Sequence, residues 1–191
     1  MARGISLEYR AEADVTRPWT RLFGWGSVAV TLAHGFLLGG ILQGMRFDGP
    51  TYLGGAFDWF SPFTVLVAAT LLCLYAMFGS AWLVLKSSGA LRDRARIWGI
   101  RSGSAALGVL VALIAFIALA GDLGHLIGRP GQLGFAPGFL VWLVLAVLAA
   151  ALYFRALGKG LDRGALVCCA AMLAFVFAAF GSCLYPVIVP P

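Results

Sequence analysis

Acid is scarce in this chain. Eight Asp and Glu and two His stand among 191 residues, and charged residues of both signs make up only 12%. A soluble domain carries about a quarter charged residues, so the composition excludes an ordinary water-soluble globular fold. Carboxylate pairs, a Ser–His–Asp set, a P-loop and metal-ligand spacings are all missing. Cysteine is sparse too: Cys73, Cys168, Cys169 and Cys183 lie within apolar runs, and none forms CxxC or CxxCH. That spacing points away from a zinc site and from covalent haem attachment, and each thiol reads as a small buried hydrophobe. The first 21 residues hold Arg3, Arg10, Arg17 and Arg21 among Glu8, Glu12 and Asp14, without the apolar core of a secretory signal.

What the chain has in quantity is hydrophobicity, 61% of its residues at a mean hydropathy of +0.93. The apolar residues fall into five blocks, Leu22–Met45, Pro62–Leu85, Ser102–Ala120, Pro137–Phe154 and Gly164–Val187. A hydrocarbon core of about 30 Å needs roughly 20 helical residues. A backbone inside lipid has no water to satisfy its amides, so each block is expected to be helical. The reading is an all-α polytopic membrane protein, a single transmembrane domain over 1–191 built as a bundle of five helices.

The net charge of +6 does not indicate nucleic acid, because the basic residues flank apolar blocks instead of covering one folded face. They divide unevenly. Arg3, Arg10, Arg17 and Arg21, then Lys86, Arg92, Arg94, Arg96 and Arg101, then Arg155, Lys159 and Arg163 fall in alternate connectors. The other connectors hold Arg46 and Arg129 alone. Twelve against two places the N-terminus in the cytoplasm and the C-terminus outside a bacterial inner membrane by the positive-inside rule. The outer connectors, Phe47–Ser61 and Gly121–Ala136, are rich in Gly, Pro and aromatics suited to the headgroup level.

One of them ends in GGAFDWFSPFTVLV, Gly54–Val67. Ser61 suits a helix N-cap and Pro62 the first turn, where a missing N–H costs nothing. Asp58 would then face the positive end of the helix dipole, an interaction of about 0.3–1 kcal/mol. A subunit contact, a quinone head group or a proton path are the other roles open to a carboxylate at this depth. His34, in the middle of the first span, would either hydrogen-bond between helices or ligate haem iron; the other histidine, His125, is in an outer connector. Gly35/Gly39 and Gly40/Gly44 are spaced for close helix approach, and Gln43 for a bond across helices. The titratable side chains expected deep in the spans are His34, the four thiols and Tyr75. An ion-coupled transporter normally places carboxylates there, so the pattern is that of a partner subunit.

Several stretches, in order, resemble one family. RGISLEYR, WTRLFGWGS, GFLLGGILQG, FDWFSPFTVLV, YAMFGSAWLVLKSSGALRDRAR and GSCLYPVIVPP are similar to the second subunit of bd-type quinol oxidases, of the cyanide-insensitive branch. The resemblance makes Lys86 an inner-face helix end and the basic residues beyond it a loop. The family subunit has eight spans, and this chain resembles the third to seventh, a partial form. It lacks the first two, with the family's acidic residues, and the last; it has Trp19-Thr20 where the family has Trp-Asp. A fragment is the preferred reading over a reduced paralogue. The resemblance implies a heterodimer with a first subunit that ligates haems b and d, oxidises quinol from the quinone pool and reduces oxygen to water. This chain would ligate no haem and carry no catalytic residue. Its matches to family motifs, Arg3, Glu8, Arg10, Asp58, Trp59, Pro62, Lys86 and Gly89, would serve assembly and helix termination. A small permease or accessory membrane protein is the alternative; five spans do not divide into the two equal halves of a repeat transporter.

Overall fold

The computed structural model describes residues 17–43, 47–48, 51–52, 55, 57, 59–120 and 135–184. They form α1 (Arg17–Gln43), α2 (Pro62–Lys86), α3 (Gly89–Ala120), α4 (Phe135–Lys159) and α5 (Asp162–Leu184). Between α1 and α2, β1 (Phe47–Asp48) and β2 (Thr51–Tyr52) make a two-residue antiparallel ladder that pairs Phe47 with Tyr52 and Asp48 with Thr51. All five helices are long and apolar enough to cross a membrane. Their number is the one hydropathy indicates, because satisfying every amide within one segment is the only open-chain solution in lipid.

α2 starts at Pro62 and α3 ends at Ala120, as hydropathy indicates, but α3 begins well before Ser102 and α4 ends beyond Phe154. The basic stretch after Lys86 is not a loop: Ser87 and Ser88 alone separate α2 from α3, and Arg92, Arg94, Arg96 and Arg101 are helical. Hydropathy marks where lipid ends, whereas Ala-Leu-Arg-rich sequence without proline continues a helix into the headgroups. Gly89 makes the reversal at φ +62°, a conformation that costs a residue with a Cβ about 1–2 kcal/mol. The second tight turn is a Schellman motif. Gly160, at φ +71°, donates to the Leu157 carbonyl at 3.2 Å, and Leu161 donates to the Ala156 carbonyl at 2.9 Å. α4 therefore extends to Lys159, past the predicted Phe154.

α2 is the central helix and packs on α1, α3 and α5, while α4 lies along α5. The α1–α2 contact rests on missing side chains. A Cβ on Gly35 would stand 2.3 Å from the Ala68 Cα, and one on Gly39 would stand 2.9 Å from the Thr64 Cα. Small residues also line α4 against α5, where Ala146, Ala149 and Ala150 join Ala165, Cys169 and Met172 in one core cluster. Lipid tails are as apolar as leucine, so the gain here is van der Waals packing at short range. α3 and α4 meet at one crossing, where Gly99 lies under the Tyr153 hydroxyl and Gly103 under the Phe154 ring. Towards the other end a cavity of about 20 Å³ opens between α3, α4 and α5, lined only by apolar side chains such as Leu113, Leu143 and Phe180. A site without polar partners does not hold a water.

Candidate functional site

The motif before α2 folds as its residues dictate. Ser61 is extended (φ −133°, ψ 162°), and Pro62 is the first helical residue. The Ser61 Oγ accepts from the Thr64 N–H at 3.2 Å, while the Ser61 N–H donates to Thr64 Oγ1 at 2.9 Å. This reciprocal pair satisfies two backbone groups at the helix start. The Ser61 hydroxyl then donates to Gln43 Oε1 at 2.6 Å, so the end of α1 is bound to the start of α2. That is the cross-helix bond expected of Gln43. Beside it the rings of Phe36, Trp59 and Phe60 meet pairwise at centroid separations of 5.5 to 5.9 Å. Trp59 and Phe60 remain exposed outward, as residues at an aqueous boundary do. Asp58, in the middle of the motif, lies outside the described residues.

At the opposite end Lys86 closes α2, with its Nζ 5.5 Å from the centre of the Trp82 ring. The Arg92 guanidinium donates to Asp162 Oδ2 at 2.5 Å, joining the first turns of α3 and α5. Asp162 also meets the positive end of the α5 dipole. Sequence reasoning missed this pair; its one signal was a lone acid in a connector otherwise basic. Arg3, Glu8 and Arg10 lie outside the described residues.

The middle of the bundle holds the main corrections. His34 projects from an exposed face of α1 and makes no bond to a described residue, so it does not join two of these helices. Tyr75 stands in the middle of α2 and is 39% exposed from the bundle, whereas Tyr153, not singled out, is fully buried within it. Its Oη has no hydrogen-bond partner among the described residues. Ser80, on the same side of Gly99, is turned to the Met77 carbonyl at 2.7 Å. Hydropathy could not separate the two tyrosines, since only packing decides which face of a span is inward. Cys169 is fully buried, and Cys73 and Cys168 are partly so. Among the described residues no three His, Cys, Asp or Glu side chains gather. The described part of the chain can position helices and bind their ends; it contains no assembled acid–base or redox centre.

Comparison with known proteins agrees with the family motifs. The family described as cytochrome bd terminal oxidase subunit II matches residues 1–191. A probable cytochrome oxidase subunit 2 of Haemophilus influenzae is 35% identical over 128 residues, 62% of this chain and 32% of that protein. The cytochrome bd ubiquinol oxidase subunit 2 of Bacillus subtilis is 26% identical over 161 residues, 81% of this chain and 46% of that protein. The matches thus span between a third and a half of the relatives' length.

Proposed function

The chain belongs to the cytochrome bd terminal oxidase subunit II family, and from that membership we propose that it is a non-haem-ligating membrane subunit of a quinol oxidase. Its partner would be a haem-bearing first subunit that takes electrons from quinol and reduces oxygen to water. The observation that carries the reading is the family match from the first residue to the last. The short coverage of the relatives fits a fragment of such a subunit. The lysine and arginine asymmetry supports a multi-pass inner-membrane protein with a cytoplasmic N-terminus and an external C-terminus.

The described residues do not fit a haem site. His34 is exposed on α1, and His125 lies outside the described residues. Among the described residues no side chain is therefore assigned an electron-transfer step. Its part in the reaction is to shape the partner's surroundings: a rigid pack of helices, fixed at one end by Gln43 and Ser61 and at the other by Arg92 and Asp162. α1 is the helix best placed to meet the partner, since it is the least buried of the five within the bundle and an imidazole facing lipid is unfavourable.

Co-expression with a haem-bearing first subunit tests the proposal. A tag on this chain should recover the partner with its haem spectrum, and the pair should consume oxygen with quinol. Failure of the two chains to co-purify under conditions that keep the first subunit folded would overturn it.

A further inference from the structure

α3 is longer than a bilayer requires. Its 32 residues extend about 48 Å at 1.5 Å per residue, against a hydrocarbon core of about 30 Å. From Ser102 to Ala120 it carries no charge, and that part alone covers about 28 Å. The stretch Gly89–Arg101 therefore stands in the headgroup layer and the water beyond.

That stretch has two faces. Ala95 and Gly99 are buried against the bundle, and Arg92 is neutralised by Asp162. Arg94, Ile97, Trp98 and Arg101, spaced by three, four and seven residues, share the opposite face, and all four are exposed. With Arg101 at the hydrocarbon edge, Trp98 is about 4.5 Å further out along the axis and Arg94 about 10.5 Å. The headgroup layer is about 5–8 Å deep on each side, so the two arginines bracket it with the indole between them. Among the described residues, Arg92–Asp162 is the only ion pair at this end. Among the described residues of that end, Arg17, Arg21, Lys86, Arg92, Arg94, Arg96, Arg101, Arg155, Lys159 and Arg163 stand with two acids, Asp93 and Asp162.

We propose that this outward face of α3 binds the headgroup of an anionic phospholipid. Arg94 and Arg101 hold the phosphate through their guanidinium forks, and Trp98 with Ile97 packs between them against the headgroup and glycerol. The occupant is a lipid and not a free anion, because apolar and basic side chains alternate along one exposed stripe. Charge and depth carry this assignment, independently of the oxidase reading.

The full chain, purified in neutral detergent, is titrated with phosphatidylglycerol or phosphatidylcholine, and bound lipids are counted by native mass spectrometry. Phosphatidylglycerol should bind more tightly. Arg94→Gln with Arg101→Gln should weaken it about 25-fold, a factor of about five for each basic residue near the surface, and leave phosphatidylcholine unchanged. Arg17→Gln with Arg21→Gln, exposed at the start of α1, should have a much smaller effect. Unchanged phosphatidylglycerol binding in the first variant would overturn the proposal, as would an equal loss in the second, which would show that only total charge is read. Displacement of the lipid by equimolar inorganic phosphate would overturn it too. Helical circular dichroism must match the unsubstituted chain in both variants for the comparison to stand.

Discussion

The Ser61 hydroxyl lies 2.6 Å from the Gln43 side-chain oxygen, while the same Oγ accepts the Thr64 N–H at 3.2 Å. One oxygen thus starts α2 and fastens α1 to it. Ser61→Ala loses the cap, worth about 1 kcal/mol, and an interhelical bond averaging about 0.6 kcal/mol. Gln43→Ala loses the second alone. Unfolding of the reconstituted chain in denaturing detergent should rank Ser61→Ala clearly below Gln43→Ala. Equal losses would mean that the cap contributes nothing.

The α1–α2 seam predicts a contrast between glycines. Gly35→Ala places a methyl 2.3 Å from the Ala68 Cα, which only a shift of backbone relieves; overpacking of this kind costs about 1–3 kcal/mol. Gly108→Ala on α3 meets nothing within 4 Å and should be neutral or slightly stabilising through helix propensity. Thermal stability in micelles, measured on both variants, separates a packing requirement from a general intolerance of substitution.

The Arg92–Asp162 pair joins turns that are 70 residues apart in the chain. Both partners are partly exposed, with 43% and 21% of their side chains accessible, so a coupling of about 0.2–1 kcal/mol is expected from a double-mutant cycle of Arg92→Gln and Asp162→Asn. High salt should reduce it. A coupling of zero at low salt would assign Asp162 to the helix dipole alone.

How far these features were legible depends on which physics fixes them. Span number follows from transfer to lipid, a property of composition, and all five helices were readable. Ser61, Pro62 and Gln43 were readable because capping is local chemistry, and the Gly35/Gly39 spacing because it recurs on one helix face. The basic stretch after Lys86 was misread as a loop, since hydropathy reports the lipid boundary and not the end of hydrogen bonding. Tyr153 went unnoticed for a related reason, beside the more central Tyr75. Each stands in an apolar run, and only the crossing over Gly99 tells which is inside.

Topology provides a test of the charge count. With the N-terminus cytoplasmic, a reporter fused after Ser88 should behave as cytoplasmic and one fused after Pro191 as periplasmic. The reverse pair of readings would invert the bundle and move Arg94 and Arg101 to the outer leaflet.

His34 decides whether the chain has only a supporting role. It makes no bond to a described residue and is exposed on α1, and the comparisons relate the chain to a second subunit. In a complex with the haem-bearing first subunit, His34→Ala should therefore leave the haem difference spectrum unchanged at unchanged subunit stoichiometry. If the face of α1 meets the partner, the substitution should instead loosen the complex, by about 0.6 kcal/mol where one interhelical hydrogen bond is lost. Dissociation on dilution in detergent would report that change. A haem band that disappears while both subunits remain together would make His34 an axial ligand. The chain would then hold a cofactor here assigned to its partner.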